Sequence, residues 1–366
     1  MKRVSMRKAA AFAMTGFMAM SLAACGSSSD KTAAASSEEA AQSQEESAAG
    51  SAAGRTYKVA ILKQLKHASL DQIQDSIVSE LEAKGKELGV TFDISYEEGP
   101  DDLNQHVSNL MAEDPDIIIP IATTAAQVVQ SQTEGEDIPI LFSAIADPVG
   151  SGLVASMDAP GANITGTSDM LNTQSVMDMM FAVNPDIKKV GLLYSKSEDS
   201  SRQAIEDAKK YLDDKGIEYV EKTGTNTNEL ISAVDSLTEG SGKVDAVFTP
   251  LDNTVMSAEL SIYEKLADAG VPHYGGADSF ALNGAFCGYG VNYVGLGKAT
   301  ADMAVDILVN GADPATTPVQ TFDNGIATIN TETAEKLGLK LDDIKKAIQP
   351  YCTDIEETKT QDSFDK

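Results

Sequence analysis

Three groups of residues have the types and spacing to grip a small charged molecule. Ala122-Thr123-Thr124-Ala125-Ala126-Gln127 follows a short apolar run and opens a helical pattern. Free amide N–H groups and hydroxyls at a helix start suit a carboxylate or phosphate, and the same Thr residues also suit plain capping. Ser143 and Ala144 follow another apolar run, with small neighbours that let a ligand approach the backbone; Asp147, before Pro148, reads as a turn former. Asp252 and Asn253 begin a third helical pattern, and a carboxylate and an amide there suit an ammonium group as well as an N-cap. Asp278, after Gly275-Gly276, is a second candidate for the ammonium, and the paired glycines imply a tight backbone. His67, Tyr194 and Ser200 sit in comparable positions and complete the candidate set, with surface or capping roles as the alternative.

Positioning these residues requires elements in strict alternation. Apolar runs occur at Tyr57–Leu62, Thr91–Tyr96, Asp116–Ile121, Ile138–Ile145, Lys189–Tyr194, Glu218–Lys222, Val244–Thr249 and Val271–Tyr274. Between them lie helical patterns such as Asp71–Leu88, Leu103–Ala112, Arg202–Lys215, Thr227–Glu239 and Asn253–Ala269, with Gly89 and Gly270 as stops. This is the pattern of α/β architecture with parallel sheets covered on both faces. The runs fall into two blocks, joined by a Gly-, Pro- and Asp-rich stretch over Pro148–Asp169. In such doubly wound sheets ligands bind beyond the carboxyl ends of the strands, where every candidate above is found.

The 366 residues carry 56 acidic and 28 basic side chains, a formal charge of −28. That surface repels phosphate backbones and argues against nucleic acid as a partner. The first 24 residues combine Lys2, Arg3, Arg7 and Lys8 with the apolar stretch Ala9–Leu22, the layout of a signal peptide. Leu22-Ala23-Ala24-Cys25-Gly26 resembles the bacterial lipobox, which implies cleavage before Cys25 and diacylglycerol on its sulfur. Cleavage removes four positive and no negative charges, taking the charge from −28 to −32. Residues 25–54 offer no large apolar side chain and read as a disordered tether. The body is then anchored at the extracytoplasmic face of the membrane and does not span it. Cys287 and Cys352 are expected as free thiols, with pairing as the alternative. No nucleotide-, metal- or hydrolase-type motif occurs, so neither catalysis nor a cofactor or metal is expected.

The segments beyond the strands, taken in order, resemble the substrate-binding lipoproteins of ABC importers, in the subgroup associated with tryptophan, tyrosine and phenylalanine. The matching stretches are Lys66–Asp71, Ile121–Gln127, Ile138–Pro148, Pro160–Asp169, Thr249–Thr254 and Gly290–Gly297. The resemblance implies a type I periplasmic-binding-protein fold, two doubly wound lobes joined by three crossings near Gly166–Asp169, Gly288–Asn292 and Thr316–Val319. Lobe 1 would hold residues 55–167 plus 290–317, and lobe 2 residues 168–289 plus 318–350, with 351–366 a polar tail. It further implies a monomer that closes on a small solute, an amino acid with an aromatic one favoured, and delivers it to an ABC permease and its ATPase. In that scheme the lobe 1 hydroxyls and helix N–H groups hold the α-carboxylate, and Asp252, Asn253 and Asp278 face the ammonium. Lys66-His67-Ala68 stands where the family often has Glu-His-Pro, which leaves the side-chain preference open. A non-amino-acid solute, or a sensing module with the same body, is the alternative reading.

Overall fold

The computed structural model describes residues 54–322 and 325–361. The signal peptide, Cys25 and most of the tether therefore lie outside the described residues. The eight apolar runs form β1 (Thr56–Lys63), β2 (Thr91–Glu98), β3 (Ile117–Ile121), β4 (Ile140–Phe142), β6 (Lys189–Tyr194), β7 (Glu218–Thr223), β8 (Ala246–Thr249) and β9 (His273–Gly275). Two sheets result, in the orders β11-β5-β4-β3-β1-β2 and β13-β12-β10-β9-β8-β6-β7. The first contains β5 (Ile164–Ser168) and β11 (Gln320–Thr321); the second contains β10 (Cys287–Gly290), β12 (Ile326–Asn330) and β13 (Asp354–Thr358). Pairing is parallel throughout except between β10 and β12.

Burial explains which runs were readable. Every residue of β3 is buried, as expected of a central strand covered on both faces. The helices relevant to the site are α1 (Ala68–Leu88), α2 (Leu103–Met111), α3 (Thr123–Gln132), α4 (Thr173–Val183), α5 (Asp199–Lys215), α6 (Thr227–Thr238), α7 (Asn253–Asp268), α8 (Asp278–Leu282) and α9 (Tyr293–Leu308). α1 buries Ile73, Ile77 and Leu81, one side of a 3.6-residue period, and stops where Gly89 turns left-handed at φ 69°. α9 returns to pack on α1. Gly297 permits this, because a Cβ there would lie 2.6 Å from the Ile73 carbonyl oxygen.

Three expectations are corrected. Pro148–Asp169 is not all connection, since Ile164–Ser168 forms β5 and pairs with β4. The third change of sheet falls after Thr321, not near Thr316–Val319, because Gln320 and Thr321 pair with Thr167 and Ser168. The stretch 351–366 is not only a tail, for Asp354–Thr358 runs parallel to β12 along its full length. The other two changes of sheet follow Ser168 and Gly290. Cys287 and Cys352 are both free thiols. Among the described residues no helix is long and apolar enough to cross a membrane, and no cluster of three His, Cys, Asp or Glu is placed to hold a metal ion.

Candidate functional site

A cleft lies beyond the carboxyl ends of the strands, between the two sheets. The first sheet contributes His67, Ser69 and Leu70 after β1, Ala122 and Thr123 after β3, and Ala144 and Ala146 after β4. The second contributes Ser200 after β6, Leu251, Asp252, Asn253 and Met256 after β8, and Ala277, Ser279 and Phe280 after β9. Asp169 and Tyr293, from the first two connections between the sheets, close the inner end. The walls are mostly apolar with a few convergent polar groups, the usual make-up of a small-molecule site.

Two non-glycine residues of the cleft adopt left-handed backbone. Ala122 has φ 78° and Ala144 has φ 57°. Such conformations cost about 1–3 kcal/mol each and persist where neighbours over-determine them. Here the strand ends are laced together. Ala122 N–H donates to the Ser143 carbonyl at 3.0 Å, and Ser143 N–H donates to the Pro120 carbonyl at 2.8 Å. These two turns bring the small side chains of Ala122 and Ala144 against the cleft.

The four carboxylates around the cleft have different fates. Asp252 is fully occupied. Oδ2 accepts from Ser195 N–H and Ser201 Oγ, both at 2.7 Å, and Oδ1 accepts from Val255 N–H at 2.9 Å as the N-cap of α7. Burial still pushes its carboxyl upward. Glu198 accepts from Thr254 Oγ1 at 3.0 Å and Ser200 Oγ at 3.5 Å, and burial, aided by the Asp252 charge, raises it as well. Asp278 does not line the cleft; Oδ1 accepts from Ser69 Oγ at 2.7 Å and Oδ2 from Gln72 Nε2 at 3.4 Å. Asp169 is different. It is 6% exposed, its Oδ1 has no hydrogen-bond partner in the protein, and burial pushes its carboxyl up to about 7.

Several contacts join the elements of one sheet to those of the other. His67 Nε2 meets Asn253 Oδ1 at 3.1 Å, Ser69 Oγ also meets Ser279 Oγ at 2.9 Å, where it can only accept, and Gln127 Nε2 donates to Asp199 Oδ2 at 2.9 Å. With Ser69 on Asp278, these bonds bridge the two sides of the cleft. His67 is buried, its Nδ1 lacks a partner in the protein, and desolvation lowers its pKa to about 4, so the imidazole is neutral.

Of the residues singled out in the sequence, His67, Thr123, Ala144, Ser200, Asp252 and Asn253 line the cleft. The others do not. Thr124 lies behind it, with its N–H on Gln64 Oε1 at 3.2 Å, and Ala125 is packed in the core of the first sheet. Ser143 is wholly buried beneath the cleft, where its Oγ meets Thr300 Oγ1 at 2.9 Å. The chain leaves β4 at Phe142, and it is the left-handed residue Ala144, one position past Ser143, that lines the cleft. Tyr194 points to the neighbouring strand, donating to Glu221 Oε2 at 2.7 Å. Asp252 and Asp278 are spent on protein donors, as described above. The sequence reading missed Asp169, Tyr293, Ser69 and Ser279. Asp169, Ser69 and Tyr293 lie within the matching stretches named above, but nothing in composition marks one carboxylate as unpaired.

Residues 58–348 match the family model for ABC transporter substrate binding proteins. A protein of Clostridioides difficile (strain R20291) described as "Tyrosine-binding protein" is 30% identical over 286 residues, 77% of this chain and 81% of that one. The structure of an ABC domain from Streptococcus pneumonia in complex with L-Trp is 32% identical, with a TM-score of 0.74, over 82% of this chain and 99% of that one. The ligand-free, open structure of a substrate binding protein with adhesive properties from Clostridium difficile is 30% identical, over 83% of this chain and 100% of that one. Its TM-score is 0.63. At near-equal identity the chain superposes better on the ligand complex than on the open form, in keeping with the bonds that bridge the cleft.

Proposed function

Because the chain belongs to the substrate-binding proteins of ABC transporters, a family of solute binders rather than enzymes, we propose that its cleft captures an aromatic amino acid by closure of two lobes. One observation carries this reading: Asp169 Oδ1 is a buried, unpartnered carboxylate oxygen in a cleft whose large apolar walls are Leu70, Leu251, Met256, Phe280 and Tyr293. A buried carboxylate without a partner is costly, and a ligand ammonium supplies the missing charge and donor. The start of α3 at Thr123 offers N–H groups and the positive end of a ten-residue helix to the α-carboxylate. The apolar walls then enclose a large side chain. A relative described as tyrosine-binding and one crystallised with L-Trp support an aromatic one.

In this account the lobes hinge at the three changes of sheet, and Asp169 sits on the first of them. Ligand contacts made from both lobes stabilise only the closed form, which the partner permease would engage. Extracytoplasmic solute capture is the family's place of work, and we assign the anchoring to lipidated Cys25, since Leu22-Ala23-Ala24-Cys25 follows a signal-peptide pattern. Loss of metabolic palmitate label in Cys25→Ala checks this, and retained label refutes it.

The capture is tested by a thermal-shift panel of the twenty amino acids on protein stripped of ligand by unfolding and refolding. A ligand at about 100 times its Kd adds about 2.7 kcal/mol, a readily measured shift. Tyr, Trp or Phe should raise the melting temperature and contract the protein in small-angle scattering. A flat panel from refolded protein would remove the amino-acid assignment.

A further inference from the structure

The cleft's unmet demand is for hydrogen-bond donors, and it is twofold. Asp169 Oδ1 is one buried cleft atom without a partner, on the first connection between the sheets; His67 Nδ1, on the β1–α1 loop, is another. No Lys or Arg among the described residues lines the cleft.

That His67 Nδ1 is an acceptor follows from its neighbours. Asn253 turns its amide oxygen Oδ1, not its NH2 group, to His67. Oδ1 in turn only accepts, so the Nε2 atom of His67, 3.1 Å away, carries the ring proton. A neutral imidazole has one proton, which leaves Nδ1 a bare lone pair. The contact with Asn253 thus fixes the tautomer.

Resting on the reading of an aromatic amino acid, we propose that His67 Nδ1 is a specificity determinant: with the ligand ammonium on Asp169, it accepts a second hydrogen bond from the side chain. A phenol O–H or an indole N–H meets that demand and a phenyl ring does not. The site therefore selects tyrosine or tryptophan over phenylalanine. A buried group left unpaired is what lets a site reject an analogue lacking one donor far more strongly than a change of size does.

The test is calorimetric titration of refolded protein with L-Tyr, L-Trp and L-Phe. The better of Tyr and Trp should bind at least tenfold tighter than Phe. In His67→Leu that ratio should shrink to within about threefold. The ratio is the readout because loss of the His67–Asn253 bridge weakens closure on every ligand alike. Should His67→Leu fail to fold, 15N NMR of the histidines in the unsubstituted protein decides. The His67 ring should carry its proton on Nε2, with Nδ1 shifting on Tyr or Trp and not on Phe. Phe binding as tightly as the better of the other two, or a proton on Nδ1 in the complex, overturns this inference and leaves the amino-acid reading intact. If none of the three binds, the amino-acid reading itself falls.

Discussion

Asp169→Asn should weaken ligand binding at pH 8 by at least about 30-fold while making the empty protein more stable. The first effect is the loss of a buried charge pair, where truncating one partner costs about 2–5 kcal/mol. The second follows from the burial that raises Asp169 from 3.8 to about 7. Between those values the folded state keeps a proton that the unfolded chain has released. Stability therefore falls as pH rises from about 4 to about 7, by on the order of 4 kcal/mol in all, and the loss is complete above that range. Asparagine has no such titration. Variant and parent should melt together near pH 4 and diverge by several degrees at pH 8, the variant higher. Glu198 and Asp252, also raised by burial, change stability in the same direction as Asp169. His67, lowered to about 4, changes it in the opposite direction. All three remain in both proteins, so the difference between the melting curves isolates Asp169. A variant that binds normally, or melts below its parent at pH 8, contradicts the role given to this residue.

Gly276→Ala should damage the cleft by steric force alone. A Cβ at Gly276 would lie 2.8 Å from Leu251 N and 2.8 Å from Pro250 C, both backbone atoms. Relief requires moving the β8–α7 turn, which carries Leu251, Asp252 and Asn253 into the cleft. We expect a stability loss of about 1–3 kcal/mol, typical of overpacking a closed site, together with weaker ligand binding. Gly295→Ala is the matched control. Its Cβ would meet Asn292 Oδ1 at 3.5 Å, an ordinary contact, and its effect should stay within about 0.5 kcal/mol. Denaturant melts of the two variants compare the same added methyl in two surroundings. Equal effects would remove the close approach at Gly276 as the cause.

Much of the architecture is legible in the sequence because buried parallel strands read as continuous apolar runs. β3, Ile117–Ile121, is buried at every position and shows it. The strands that escaped notice lack that signal. β5 is Ile-Thr-Gly-Thr-Ser and β10 is Cys-Gly-Tyr-Gly, small or polar residues that nonetheless sit fully buried. β13 carries Asp and Glu along a sheet edge. The site was legible in outline, since the rule that ligands lie beyond strand ends selects His67, Thr123, Ala144, Ser200, Asp252 and Asn253. It was not legible in chemistry. Asp252 reads as a better ammonium acceptor than Asp169 until Ser195 and Ser201, more than fifty positions away, are seen to occupy it. Sequence gives the type of a carboxylate; only the fold gives its partners. Tyr194 shows the same limit, for the last residue of a strand faces the cleft or the neighbouring strand according to register.

The most direct measurement is a paired calorimetric titration at pH 8 of refolded protein with L-tyrosine and with 3-(4-hydroxyphenyl)propionate. The second ligand keeps the ring, the phenol and the carboxylate and lacks only the ammonium. If Asp169 is the ammonium receptor, tyrosine should bind at least about 30-fold tighter, the scale set by leaving a buried charge without its partner. Equal affinities would contradict the central claim, because the unpartnered carboxylate on the first connection would then play no part in holding the ligand.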